Sequence, residues 1–170
     1  GYDKVKTSLT YELENKGVNI SYKDNTETIP ANFNSSEENK LVIYSSAISN
    51  NNIFSFFKEN NFTISKRSVV LGAISKYYYT IAIAGTHGKT TTSIMLSHVL
   101  KNSEIDCTAF FGGISKNYNS NFLLSDKSNY LIVEADEYDK SFLTLNPDIA
   151  VITSIDADHL DIYKSHTDFI

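Results

Sequence analysis

Ile81-Ala-Ile-Ala-Gly-Thr-His-Gly-Lys-Thr-Thr-Thr92 decides the fold, because a short apolar run breaks there into a glycine-flanked turn carrying a lysine and hydroxyls. Tyr79, Ile81 and Ile83, with Ala82 and Ala84, have the composition of a strand buried on both faces of a parallel sheet. Gly85 and Gly88 remove Cβ where backbone N–H groups must approach an anion closely. A helix from Lys89 to about Asn102 then presents its positive end to the same place. Such a turn holds a nucleotide triphosphate: Lys89 reaches the β and γ phosphates, and the Thr90 hydroxyl sits where a phosphate-bound Mg²⁺ needs an oxygen. Gly85, Thr86, His87, Gly88, Lys89, Thr90 and Thr91 are therefore the candidate ATP contacts. The match to G-x-x-x-x-G-K-[ST] is partial, since Ile83 stands at the first glycine. The plain alternative is a strand-turn-helix corner with a surface lysine.

Outward from this turn, the chain reads as alternating strands and helices. Thr7 or Ser8 caps a helix through about Lys16, stopped by Gly17, and a strand is expected at Val18 to Tyr22. A polar stretch, 23–39, reads as loop with a helical turn. Strands at 40–45 and 62–64 enclose a short helix on Ile53, Phe56 and Phe57, and a helix at 68–76 leads to the nucleotide strand. Beyond it lie strands at Cys107 to Phe111, Tyr130 to Glu134 and Ile149 to Thr153, with a Gly112-Gly113 turn and an asparagine-rich loop after the first. The pattern predicts an α/β protein: a Rossmann-like domain over residues 1–76, then a P-loop-type, mostly parallel α/β domain over 77–170. Aromatic clusters at 54–57, 77–79, 110–111 and 138–142 are expected to fill cores.

Composition narrows the partners. A net charge of −5 and no long basic run argue against nucleic acid held by its phosphates. The sole cysteine, Cys107, gives no disulfide framework, and neither a signal peptide nor an apolar run of membrane-spanning length occurs, so a cytoplasmic protein is expected. The chain opens at Gly1 without methionine and stops at Ile170 as a helical pattern begins, which predicts an internal piece of a longer protein.

Ligands of parallel sheets sit at the carboxyl ends of strands, and two acidic clusters fall there. Glu134-Ala-Asp-Glu-Tyr-Asp139 follows Tyr130-Leu-Ile-Val133, and Asp156-Ala-Asp-His-Leu-Asp161 follows the run Ile149 to Ile155. Carboxylates at these positions complete an octahedral Mg²⁺ shell, and a neutral His159 adds a nitrogen or orients a carboxylate. Thr90, Glu134 and His159 are the metal candidates. The acids exceed what one or two ions need, so Asp136 and Glu137 are assigned to substrate contact. His98 and His166 read as ordinary surface or helix residues.

Together, Gly85-Thr-His-Gly-Lys-Thr-Thr-Thr92, the Glu134 and Asp156 clusters, Ser141-Phe-Leu143, Ser45-Ser-Ala-Ile48 and Phe111-Gly-Gly-Ile114 resemble the Mur ligases of bacterial peptidoglycan synthesis. The resemblance implies an ADP-forming amide synthesis from ATP through an acyl phosphate, with UDP-N-acetylmuramate as the carboxyl substrate and L-alanine as the amine. It implies that Lys89, Glu134 and His159 are catalytic, that Thr90 and Glu134 hold one Mg²⁺ while His159 helps to hold a second, and that Ser45 and Ser46 contact the UDP moiety. An earlier strand with a glycine-rich turn and a third domain, both usual in the family, are not in this sequence, so the piece alone is expected to be inactive. Tyr138 replaces the serine usual in the alanine-adding members and resembles the recycling member that adds a tripeptide, which is the close alternative. A nucleotide-binding domain without catalysis is the alternative from another class.

Overall fold

A computed structural model of the chain describes residues 1–33, 39–45, 48, 51–136 and 142–156. It divides into two units, Gly1–Arg67 and Ser68–Ile170.

In the first unit, α1 (Ser8–Asn15) starts at Thr7, whose hydroxyl accepts from Thr10 N–H while the Thr10 hydroxyl accepts from Thr7 N–H. This reciprocal cap satisfies donors that the helix leaves open, and Gly17, at φ +89°, ends it. The strand expected at 18–22 is reduced to a single bridge between Tyr2 and Ser21. With no longer partner the apolar alternation there cannot build a ladder. Two 3-10 turns, Thr26–Thr28 and Ala31–Phe33, occupy the polar stretch. Strands β1 (Leu41–Tyr44) and β2 (Thr63–Lys66) pair in parallel, joined by α2 (Asn52–Glu59). Asp24, which the sequence did not single out, accepts from the N–H groups of Asn52 and Ile53 at 2.9 and 3.0 Å and so fixes the start of α2. Phe33, Phe57 and Phe62 pack together, Phe57 edge-on to the other two and Phe33 stacked on Phe62.

The second unit begins at Ser68, in the first turn of α3 (Arg67–Ser75), so that α3 groups with the strands after it. The cause is packing: Ser75 Oγ accepts from Asn146 N–H, Thr80 Oγ1 donates to Ser75 O, and Gly72 lies against the Thr144 backbone. Strands β3 (Tyr79–Ala84), β4 (Thr108–Ser115), β5 (Ser120–Leu123), β6 (Tyr130–Glu134) and β7 (Ile149–Ile152) form one sheet in the order β5-β4-β6-β3-β7. All neighbours are parallel except β5, which runs against β4. Helix α4 (Lys89–Lys101) lays Ile94, Leu96 and Leu100 on one face of the sheet, over Ile81, Ile83, Cys107, Ala109, Phe111 and Ile132. Leu71 of α3, with Phe142 and Leu145, covers Ala82, Leu131 and Val133 on the other. Burial of Ile81, Ala82 and Ile83 on the two faces matches the apolar run Ile81-Ala-Ile-Ala84.

Two expectations fail here for local reasons. Gly112-Gly113 is not a turn: β4 passes through it to Ser115, with its register to β5 shifting between Phe110 and Ser115. Glycines inside a strand mark irregular pairing or close approach, and the asparagine-rich "loop" supplies β5. Tyr77 and Tyr79 are no core residues, Tyr77 being 85% exposed.

Candidate nucleotide-phosphate site

The sheet order builds the site. Central β3 is flanked by β6 and β7, both parallel to it, so the segments leaving these three strands emerge at one edge. Ile83 is level with Glu134, and Ala84 with Ile152.

The turn after β3 is held in shape by the segment after β7. Thr86 N–H donates to Ser154 O at 3.1 Å and His87 N–H to Ser154 Oγ at 3.0 Å. The Thr86 hydroxyl accepts from Asp156 N–H at 2.9 Å and lies 3.1 Å from Asp156 O. Thr153 Oγ1 lies within hydrogen-bond reach of both Ala84 O and His87 O. Gly85, at φ +122°, has no room for a side chain: a Cβ there would stand 2.3 Å from Thr153 Oγ1 and 2.8 Å from Ser154 N and O. Gly88, at φ +82°, starts α4 in the left-handed conformation. Since Thr86 and His87 commit their N–H groups to Ser154, donors for an anion narrow to Gly88 and the first turn of α4, including Thr90 and Thr91. Lys89 Nζ donates to Gly85 O at 2.7 Å, so the ammonium is tied to the opposite end of the turn it follows. The His87 ring lies 3.9 Å from the Asp156 carboxylate, both side chains largely exposed.

Beside the turn, Thr90 Oγ1 donates to Glu134 Oε2 at 2.9 Å, and Gly112 N–H donates to Glu134 Oε1 at 2.6 Å. This oxygen pair fits a magnesium ion. Adjacent ligands in an octahedron with Mg–O of about 2.1 Å stand about 3 Å apart, the separation the Thr90 and Glu134 oxygens already have. Both are hard oxygen donors, the type that Mg²⁺ prefers; among the described residues no group of three His, Cys, Asp or Glu is placed to hold a metal. The remaining coordination positions would fall to phosphate oxygens and water.

Thus the structure brings together Gly85, Thr86, His87, Gly88, Lys89, Thr90, Thr91 and Glu134. Asp136 follows β6 two residues beyond Glu134 and is exposed. Ser45 follows β1 in the first unit and is half-buried. Ser46, Glu137 and His159 lie outside the described residues. Sequence reading missed Gly112, Thr153 and Ser154 as parts of the site. The signals for Gly112 were a glycine pair within a run rich in aromatics and its place in the family-like stretch Phe111-Gly-Gly-Ile114, and for Thr153 and Ser154 it was their place at the end of an apolar strand.

A mostly parallel sheet with a glycine-bounded turn and helix at its carboxyl edge, and a carboxylate against a hydroxyl in the first helical turn, defines an α/β protein of the phosphate-loop class. Within that class the chain belongs to the Mur ligase family, since the Mur ligase middle domain matches residues 83–170. It is 50% identical over 96% of its length to a UDP-N-acetylmuramate--L-alanine ligase from Parabacteroides distasonis, covering 35% of that protein. To the protein of the same name from Flavobacterium johnsoniae it is 51% identical over 96%, covering 36%. The chain thus spans about a third of the length of the curated relatives it matches. Its fold superposes with a TM-score of 0.81, at 21% identity, on UDP-N-acetylmuramate:L-alanyl-gamma-D-glutamyl-meso-diaminopimelate ligase from Neisseria meningitides, covering 99% of this chain and 56% of that one. No helix among the described residues is long and apolar enough to cross a membrane.

Proposed function

We propose that this chain forms the nucleotide-binding part, with a portion of the substrate-binding part, of an ADP-forming ligase that joins L-alanine to UDP-N-acetylmuramate in the cytoplasm. The observation that carries the phosphoryl chemistry is the Thr90–Glu134 oxygen pair set beside the Lys89 turn. A simple binding domain would need the turn and one Mg²⁺ carboxylate, so the ligation step is read from the relatives named as ligases. The acceptor is read from relatives of about 50% identity that bear the alanine name.

In this reading, Gly88 and the first turn of α4 hold the ATP phosphates through backbone N–H groups, and Lys89 neutralises charge on the β and γ phosphates. Thr90 and Glu134 hold Mg²⁺, which when bound withdraws charge from the phosphate oxygens. A carboxylate oxygen of UDP-N-acetylmuramate attacks the γ phosphorus, the bond to the ADP oxygen breaks, and an acyl phosphate results. The alanine amine then attacks the acyl carbon, releasing phosphate and a proton. The reacting groups share charge over many oxygens, so positioning and fixed positive charge carry most of the acceleration. His159 would contribute to a second metal position, Asp136 and Glu137 to substrate contact, and Ser45 and Ser46 to the UDP moiety.

The test gives the full-length protein ATP, Mg²⁺ and UDP-N-acetylmuramate and measures phosphate release. Release that depends on L-alanine is expected. Release supported by L-alanyl-γ-D-glutamyl-meso-diaminopimelate and not by L-alanine would assign the tripeptide as acceptor and overturn the alanine reading.

A further inference from the structure

The two carboxylate oxygens of Glu134 are held by different partners, Oε1 by Gly112 N–H at 2.6 Å and Oε2 by Thr90 Oγ1 at 2.9 Å. Only one of them is a side-chain contact across the phosphate turn. A backbone N–H at 2.6 Å on a carboxylate is a short, charge-assisted bond, and it fixes the rotation of the carboxyl plane. The absence of a side chain at 112 matters equally. A Cβ there would stand 2.7 Å from Oε2, 3.3 Å from Cδ and 3.5 Å from Oε1. Gly112 does not have a left-handed backbone, so glycine is not required there for its dihedral freedom. A Cβ is excluded so long as the carboxylate keeps this position, and an alanine there would push the end of the Glu134 side chain aside. Gly113 differs: a Cβ there meets Thr90 Cγ2 at 3.5 Å, an ordinary contact.

We propose that Gly112 is the positioning residue for the magnesium-binding carboxylate, its amide anchoring Oε1 while its missing Cβ keeps Oε2 directed at Thr90. This rests on the reading of the Thr90–Glu134 pair as a Mg²⁺ site. Strand β4 thereby acts on the metal without touching it, as partners behind metal ligands commonly do.

Calorimetric titration of the full-length protein with ATP, across a series of Mg²⁺ concentrations and in EDTA, tests this. Gly112→Ala should raise the Mg²⁺ concentration needed for half-maximal nucleotide affinity by about tenfold or more, with metal-free ATP affinity unchanged. Gly113→Ala should change neither. Added to Glu134→Gln, the Gly112→Ala change should bring no further metal shift. Should the alanine variant not fold, the Gly112 amide resonance in the wild-type chain serves instead: it should lie far downfield and move upfield in Glu134→Ala. Unchanged metal dependence in Gly112→Ala, or a Gly112 resonance indifferent to Glu134, overturns the proposal while leaving the nucleotide site standing. A wild-type protein whose ATP affinity ignores Mg²⁺ overturns both.

Discussion

Lys89 is the one side-chain cation that the turn itself supplies, and its ammonium is already stationed at Gly85 O. Removing it leaves a helix whose first turn and packing face are intact, since Lys89 contributes its carbonyl, not its amine, to the Ser93 bond. Lys89→Ala should therefore lower turnover by about 10³-fold, with the thermal midpoint essentially unmoved. Undiminished turnover would remove the phosphate assignment. Gly85 behaves oppositely. Its φ of +122° and the 2.3 Å approach of Thr153 Oγ1 leave no conformation for alanine. Gly85→Ala should disturb the turn by about 1–3 kcal/mol of local strain and weaken ATP binding, as read by nucleotide titration. The strand-turn-helix shape was legible from the apolar run, the two glycines at 85 and 88 and the helix that follows. The anchors Thr153 and Ser154 were not, because a hydroxyl after a strand carries no mark of the loop it will meet about 70 residues away.

Among elements, the largest correction is β4. Glycine pairs usually signal turns, and only the tertiary approach of Glu134 explains why the strand keeps Gly112. A second feature hidden from sequence is Asp106, at φ +58°, which joins the end of α4, the start of β4 and the turn before β6. Its Oδ1 accepts from Lys101 Nζ at 2.6 Å and Cys107 N–H at 2.8 Å, and its Oδ2 from Ser125 Oγ at 2.7 Å. The Lys101 and Ser125 bonds, aided by Cys107 N–H, hold the carboxyl down to about 2 against a normal 3.8. A depressed folded-state value stabilises the fold when the group is ionised in both states. That contribution is complete above about pH 4 and fades as pH falls toward 2. Asp106→Asn should cost about 2 kcal/mol near neutral pH, measured by denaturant unfolding, and its deficit against wild type should shrink across pH 4 to 2. A deficit that grows with acidity would contradict the ion-pair account.

For the molecule as a whole, the alternation of strand and helix announced the α/β class, and the apolar runs at 79–84, 130–134 and 149–152 announced the strands that carry the site. Their spatial order was not written in the chain, because register and neighbour choice are settled by packing of α3 and α4 on opposite sheet faces. Cys107 reports on that packing: it is fully buried between α4 and the sheet, and burial pushes its thiol up. Its labelling by a thiol reagent should be slower than in the unfolded chain by roughly tenfold or more, and should track unfolding of the second unit. The central claim is that the Lys89 turn, Thr90 and Glu134 surround one metal-bearing triphosphate. A crystal structure of the full-length protein with Mn²⁺ and a non-hydrolysable ATP analogue tests it most directly, through the anomalous signal of the metal. The account predicts manganese at about 2.1–2.2 Å from both Thr90 Oγ1 and a Glu134 carboxylate oxygen, with the β and γ phosphates against Gly88 and Lys89. Manganese and phosphates bound away from this sheet edge would contradict it.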